Sequence, residues 1–95
     1  MRFGDQATQD IFVGIASKEA RRALPPELHE KAGRLLDRLR AAGTPMDLQT
    51  PRGNRLEKLT GGRAGQYSIR INDQYRICFR WEKDEAVGVT ITDYH

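Results

Sequence analysis

Cysteine is almost missing from this chain: Cys78 is the single one among 95 residues. An intramolecular disulfide and a cysteine-based zinc site are both excluded on that count. Cys78 reads as a small packing residue rather than a nucleophile. Histidine is scarce too, with His29 and His95 far apart in sequence, so no metal site is expected and no cofactor. No apolar run approaches the roughly 18–20 residues that a membrane span needs. The opening Met1-Arg2-Phe3-Gly4-Asp5 lacks the apolar core of a secretion signal, which makes the cytoplasm the expected compartment. Apolar residues are 38% and aromatics 7%, a modest supply for a core, and a partner that covers exposed surface would add stability. A chain this short cannot divide its apolar surface between two cores, so residues 1–95 are read as one domain.

What the chain does have is charge: 31% of its residues, net +3, with an isoelectric point near 9.4. The excess is local. Residues 51–81 hold Arg52, Arg55, Lys58, Arg63, Arg70, Arg76 and Arg80 against Glu57 and Asp73, a balance of +5. The remainder is therefore net −2. Arginine has the planar fork that matches a phosphate, so an anionic partner is one reading and a solvated basic face the other.

Periodicity divides the chain into a helical half and a strand half. Phe3 falls in a very short extended start. Asp5 can cap a first helix that places Ala7, Ile11 and Ile15 on one face with Phe12 beside them, and Gly14 and Ser17 blur its end. A polar stretch from Lys18 to Arg22 leads to Pro25-Pro26, which suits a helix start. The second helix carries Leu28, Ala32, Leu35, Leu36 and Leu39 as one apolar stripe, with Glu27–Lys31 and Glu30–Arg34 as supporting pairs. Gly43 ends it, and His29 beside the stripe reads as structural. Residues 44–54 form a loop.

Beyond it the period becomes two. Leu56 and Leu59 bracket a short strand, and Thr60-Gly61-Gly62 turns the chain. Tyr67, Ile69 and Ile71, then Tyr75, Ile77, Phe79 and Trp81, then Val87, Val89 and Ile91 alternate with polar or small neighbours. The expected fold is α+β, two N-terminal helices packed on a small, mostly antiparallel sheet. Matching Ile71 with Tyr75 and Ile69 with Ile77 leaves the loop Asn72-Asp73-Gln74, an accepted hairpin length. This register sets Arg70 opposite Arg76 on the face away from the core. Opposed arginines repel, and a phosphate or a partner's carboxylate between them would relieve the cost.

The run Gly53-Asn54-Arg55-Leu56-Glu57, the stretch from Gly65 through Gln66-Tyr67-Ser68-Ile69-Arg70 to Trp81, and the ending Asp93-Tyr94-His95 resemble the HigB-type killer toxins of the RelE/ParE superfamily. The likeness is close from Leu48 to His95 and looser before it. It implies a RelE-like fold and a ribosome-dependent endonuclease that cuts mRNA in the decoding site. It also implies a HigA-like antitoxin with a helix-turn-helix domain, which neutralises the toxin and alone connects it to operator DNA. Site residues carried over from the resemblance are His95 as general acid or base, Tyr94 as a base-stacking or proton-orienting group, Asp93 as its orienter and Arg76 as phosphate clamp.

The chemistry suits these residue types. Cleavage through the ribose 2′-OH needs proton transfers near neutral pH and donors aimed at the phosphorane oxygens. Arg55, Lys58, Arg63 and Arg70 are candidate RNA contacts, and Glu57 is a candidate acid or base. Some relatives have histidine at the position of Glu57, and many have lysine where this chain has Thr60. Two alternatives accompany the nuclease reading: a non-enzymatic, ParE-like inhibitor of DNA gyrase, and an inactive remnant that still binds RNA or antitoxin.

Overall fold

The computed structural model describes residues 1–49 and 55–93. Three helices come first: α1 (Gln6–Val13), α2 (Lys18–Ala23) and α3 (His29–Ala41). Four strands follow: β1 (Glu57–Lys58), β2 (Gln66–Arg70), β3 (Tyr75–Glu82) and β4 (Glu85–Asp93). They form an antiparallel meander in the order β1-β2-β3-β4. Phe3 adds a parallel bridge to Val89 on the outer side of β4. The fold is therefore α+β, with helices on one face of a small antiparallel sheet.

The first helix starts where expected. Asp5 accepts a hydrogen bond from the Thr8 N–H at 2.8 Å, satisfying one of the donors that a helix start leaves over. It stops at Gly14, whose φ of +85° closes the helix in the left-handed conformation that glycine tolerates. Ile15 therefore lies beyond the helix, and it is 53% exposed. Its expected place in the apolar face of the first helix is corrected by the turn that precedes it.

The polar stretch before Pro25 is itself a helix, α2. Ser17 caps it by accepting from the Ala20 N–H, and the same hydroxyl donates to Asp10 at 2.6 Å. At its other end the His29 Nε2 lies 3.2 Å from the Ala20 carbonyl and 2.8 Å from the Leu24 carbonyl, covering two acceptors of the last turn. His29 is structural, as its position beside the stripe implied. A single 3₁₀ turn at Pro26–Leu28 leads into α3. There Ala32, Leu35, Leu36 and Leu39 are buried, with Leu28 packed against the core and Glu30 paired to Arg34 at 2.9 Å. The helix ends at Ala41, with Ala42 as its cap, just before Gly43.

These helices bury their apolar sides against Ile69, Ile71, Ile77, Phe79, Ala86 and Val89 of the sheet. Phe79 lies at the centre, with Tyr67 stacked at 5.8 Å and Trp81 edge-on at 6.5 Å. Thr8, fully buried on α1, accepts a hydrogen bond from the Ile91 N–H and fastens α1 to the outer edge of β4. Lys83 and Asp84 both have positive φ, which gives the β3–β4 hairpin a two-residue turn whose twist matches the strands. Inside β4, Gly88 (φ +60°) accommodates a register shift, and the Arg80 guanidinium lies where its side chain would be.

Candidate functional site

The register inferred for the central hairpin is the one observed: Ile69 faces Ile77, and Arg70 faces Arg76. The Ile71 N–H donates to the Tyr75 carbonyl at 2.9 Å, and Asn72 Oδ1 accepts from the Gln74 and Tyr75 N–H groups to shape the loop. Strand alternation then assigns sides. Ile77 and Phe79 face the helices, whereas Ser68, Arg76, Cys78, Thr90 and Thr92 share the opposite face. That second face is not simply solvated. Ser68 and Cys78 are almost completely buried, and Arg76 is 9% exposed.

A buried guanidinium needs partners, because an uncompensated charge away from water is costly. Arg76 has them. Its Nε donates to Ser68 Oγ at 2.7 Å, and its Nη2 donates to the Arg55 carbonyl at 2.8 Å and lies 3.6 Å from Glu57 Oε1. The pairing of β1 with β2 explains the assembly, since Glu57 faces Ser68 and so points to the Arg76 side. Arg55 has φ +43°, a conformation that non-glycine residues rarely adopt, and in it the Arg55 carbonyl reaches the guanidinium.

Each of the opposed arginines has partners within the chain. Arg70 is hydrogen-bonded to Asp73 within its own hairpin, while Arg76 turns to Ser68, Arg55 and Glu57. Arg80, farther along the same face, pairs with Glu82 at 3.1 Å.

The candidate residues divide by position. Arg76, Glu57 and the Arg55 backbone are brought together, with Arg70 directly across the strand pair. Lys58 faces Tyr67 in register and therefore projects towards the helix side of the sheet, exposed at its edge. Arg63 is exposed in the 3₁₀ turn Gly61–Arg63 between β1 and β2, at the end of the sheet away from Arg76. Thr60 directly precedes that turn. Asp93 ends β4 opposite Tyr75, one pair beyond Arg76–Thr92, and accepts from the Gln74 side chain at 3.1 Å. Tyr94 and His95 lie outside the described residues, as does Arg52.

Ser68 was missed as a site residue by sequence reasoning. Its signal was the register itself, which places it diagonally beside Arg76 on the same face. The Arg55 carbonyl, a backbone group, has no signal in the side-chain pattern. An open groove of about 390 Å³ lies on the helix side, lined by Ile11, Ile15, Pro26, His29 and Gly33 among others, and includes none of the candidate residues. Among the described residues no cluster of His, Cys, Asp and Glu could hold a metal ion, and no helix is long and apolar enough to cross a membrane.

This arrangement of helices over a four-stranded meander has counterparts of known sequence. Residues 4–95 match the family described as HigB-like toxin, the RelE-like toxin of the type II toxin–antitoxin system HigB. The chain belongs to the HigB-like toxin family. This HigB-like chain is 40% identical to Toxin HigB-1 of Vibrio cholerae over 74 residues, covering 78% of the chain and 77% of that protein. An uncharacterized protein of Haemophilus influenzae is 37% identical over 63 residues, 66% of the chain and 62% of the relative. Among solved structures, a YoeB–YefM complex from Staphylococcus aureus superposes with a TM-score of 0.63 at 20% identity, covering 99% of the chain and 93% of that structure. A YoeB/ParE toxin from Agrobacterium tumefaciens gives 0.52 at 17% identity, covering 100% and 99%. At such identities the two structures speak for the HigB-like fold alone.

Proposed function

We propose that this chain is the toxin of a type II toxin–antitoxin pair and acts as a ribosome-dependent endonuclease on mRNA. The observation that carries the reading is Arg76, a buried cation hydrogen-bonded to Ser68 and to the Arg55 carbonyl on the sheet face away from the core. Nucleases of this class attack phosphorus with the ribose 2′-OH, and negative charge grows on the non-bridging oxygens. A guanidinium whose orientation is set beforehand stabilises that charge with little reorganisation. Glu57, already an ion-pair partner of Arg76, would give way to the phosphate, or serve as acid or base beside it.

His95 is proposed to transfer the proton, as general acid to the departing 5′ oxygen or as base at the 2′-OH. Asp93 is proposed to orient it, and Tyr94 to stack on an unstacked base. β4 ends at Asp93, one pair beyond Arg76–Thr92, which supports reading Asp93 and Arg76 as parts of one site. Arg55, Arg70, Lys58 and Arg63 would add electrostatic attraction for RNA. A structure of the same fold, YoeB–YefM from S. aureus, was solved as a heterotetrameric toxin–antitoxin complex. By analogy, the partners proposed here are a helix-turn-helix antitoxin that neutralises this chain and binds operator DNA, and the ribosome carrying mRNA.

The test is brief induction of this chain alone in bacteria, beside Arg76→Ala and His95→Ala, with transcript 5′ ends mapped. New cuts inside translated regions, absent from both variants, are expected. Growth arrest without new cuts would replace the reading with gyrase-type inhibition. No arrest with soluble protein present would leave an inactive RNA- or antitoxin-binding protein.

A further inference from the structure

We propose that Ser68 is a positioning residue for Arg76, its hydroxyl fixing the plane of the guanidinium before any phosphate arrives. This rests on the reading of Arg76 as phosphate clamp. Serine in the middle of a strand has no strand propensity to recommend it. Nor is this one at the surface: it is 0% exposed, between Glu57 of β1 and Cys78 of β3 in register. A buried hydroxyl costs free energy unless it is hydrogen-bonded, and the bond that satisfies this one comes from Arg76 Nε at 2.7 Å.

The second anchor is the Arg55 carbonyl on Nη2, delivered from a backbone in the left-handed region. Nε and Nη2 lie along one side of the planar guanidinium. Two acceptors along that side determine both the plane of the group and the direction in which the rest of the fork points. Removing the Ser68 hydroxyl takes away the acceptor that fixes the Nε end of the group. Arginine's long side chain otherwise has many rotamers, and ordering it during the reaction would raise the barrier. Ser68 therefore serves the chemistry by moving that ordering cost from the transition state into folding. Glu57 differs in kind: at 3.6 Å and with its side chain 55% exposed, it is a loose partner that a phosphate can displace, whereas Ser68 is not displaceable.

The test compares wild-type protein with Ser68→Ala, Ser68→Thr, Arg76→Ala and the double variant S68A/R76A. Single-turnover cleavage of ribosome-bound transcript is measured alongside affinity for ribosomes carrying a 2′-deoxy message, and thermal melting checks the fold. Ser68→Ala is expected to cut about 10- to 100-fold more slowly, the loss that follows from misplacing a reacting group by about an ångström. Its ribosome affinity should stay within about twofold, since positioning acts on the rate. Ser68→Thr keeps the hydroxyl and should retain most of the rate. The double variant should cut no more slowly than Arg76→Ala, because Ser68 acts only through Arg76.

Ser68→Ala cutting at the wild-type rate while Arg76→Ala is inactive would overturn the proposal and leave the clamp standing. Multiplying losses in the double variant would also overturn it, as Ser68 would then act independently. An Arg76→Ala protein that cuts as well as wild type would overturn the clamp and the proposal with it. If Ser68→Ala does not melt cooperatively, the Thr variant decides: a folded protein that has lost the rate despite its hydroxyl counts against positioning.

Discussion

Each face of the sheet hides side chains at its centre, but by opposite means. On the helix side, Ile69, Ile77, Phe79 and Val89 are held by apolar contact that tolerates small shifts. On the other side, Ser68 and Cys78 are as hidden and Arg76 is 9% exposed, and Arg76 is joined to its neighbours by directed bonds of 2.7 and 2.8 Å. The difference separates two jobs. Apolar contact supplies stability without direction, and hydrogen bonds to a charged group supply direction at some cost in desolvation. A clamp for a phosphate needs the second kind, built on a sheet that the first kind holds rigid.

The largest effect is expected on the apolar face. Phe79→Ala should cost about 3–5 kcal/mol in urea unfolding, because Phe79 is 1% exposed and contacts both Tyr67 and Trp81. Cleavage should fall only as far as the folded fraction does. A loss of activity in protein that remains folded would merge the two roles that the faces keep apart.

Arg76→Ala should show the reverse pattern. Its cleavage rate is expected to drop by about 100-fold or more. Unfolding free energy should fall by about 1–3 kcal/mol, for the Ser68 hydroxyl and the Arg55 carbonyl left without this donor. Single-turnover kinetics and urea curves on the same preparation check both halves.

A smaller effect is expected where α1 meets the sheet. Thr8→Val keeps the shape but removes the acceptor of the Ile91 N–H, costing about 1 kcal/mol with no change in the rate of cutting. A fall in rate at full folding would show that the edge of β4 communicates with Arg76.

The smallest effect concerns acid. The hydrogen bond from Ser17, then that from Gln6, holds the Asp10 carboxyl below its usual range. A depressed carboxylate stabilises the fold above the unfolded-state value of about 3.9 and loses that contribution as pH falls through the folded value. Asp10→Asn should therefore flatten the pH dependence of stability in that acid window. The activity profile near neutrality should be unchanged. Urea midpoints measured across the acid range would show it.

Much of this arrangement was legible in the sequence where one periodicity dominated. The stripe Ala32, Leu35, Leu36 and Leu39 gave α3, and two-residue alternation gave a hairpin register correct to the residue. The short helix α2 was not legible, because only Ala20 of its six residues is buried and its caps come from Ser17 and from His29, nine residues beyond Ala20. Ile15 was misplaced because a single left-handed glycine redirects the chain after it. At the site, Arg76 and Glu57 could be singled out by residue type and resemblance. Their geometry could not, since it depends on an Arg55 carbonyl and on how β1 pairs with β2.

The bridge between Phe3 and Val89 has a consequence for how molecules of this chain meet one another. A sheet grows by adding strands at its borders, so every open border invites another copy. Here Arg2, Phe3 and Gly4 occupy one border through hydrogen bonds to Ala86 and Val89, and the Thr8 hydroxyl takes up the Ile91 N–H farther along. The opposite border is β1, two residues long and carrying one charge of each sign, Glu57 and Lys58. Among the described residues, neither border offers a neighbour a long flat ladder. The described part of the sheet is thus guarded at both borders against growth by a second copy.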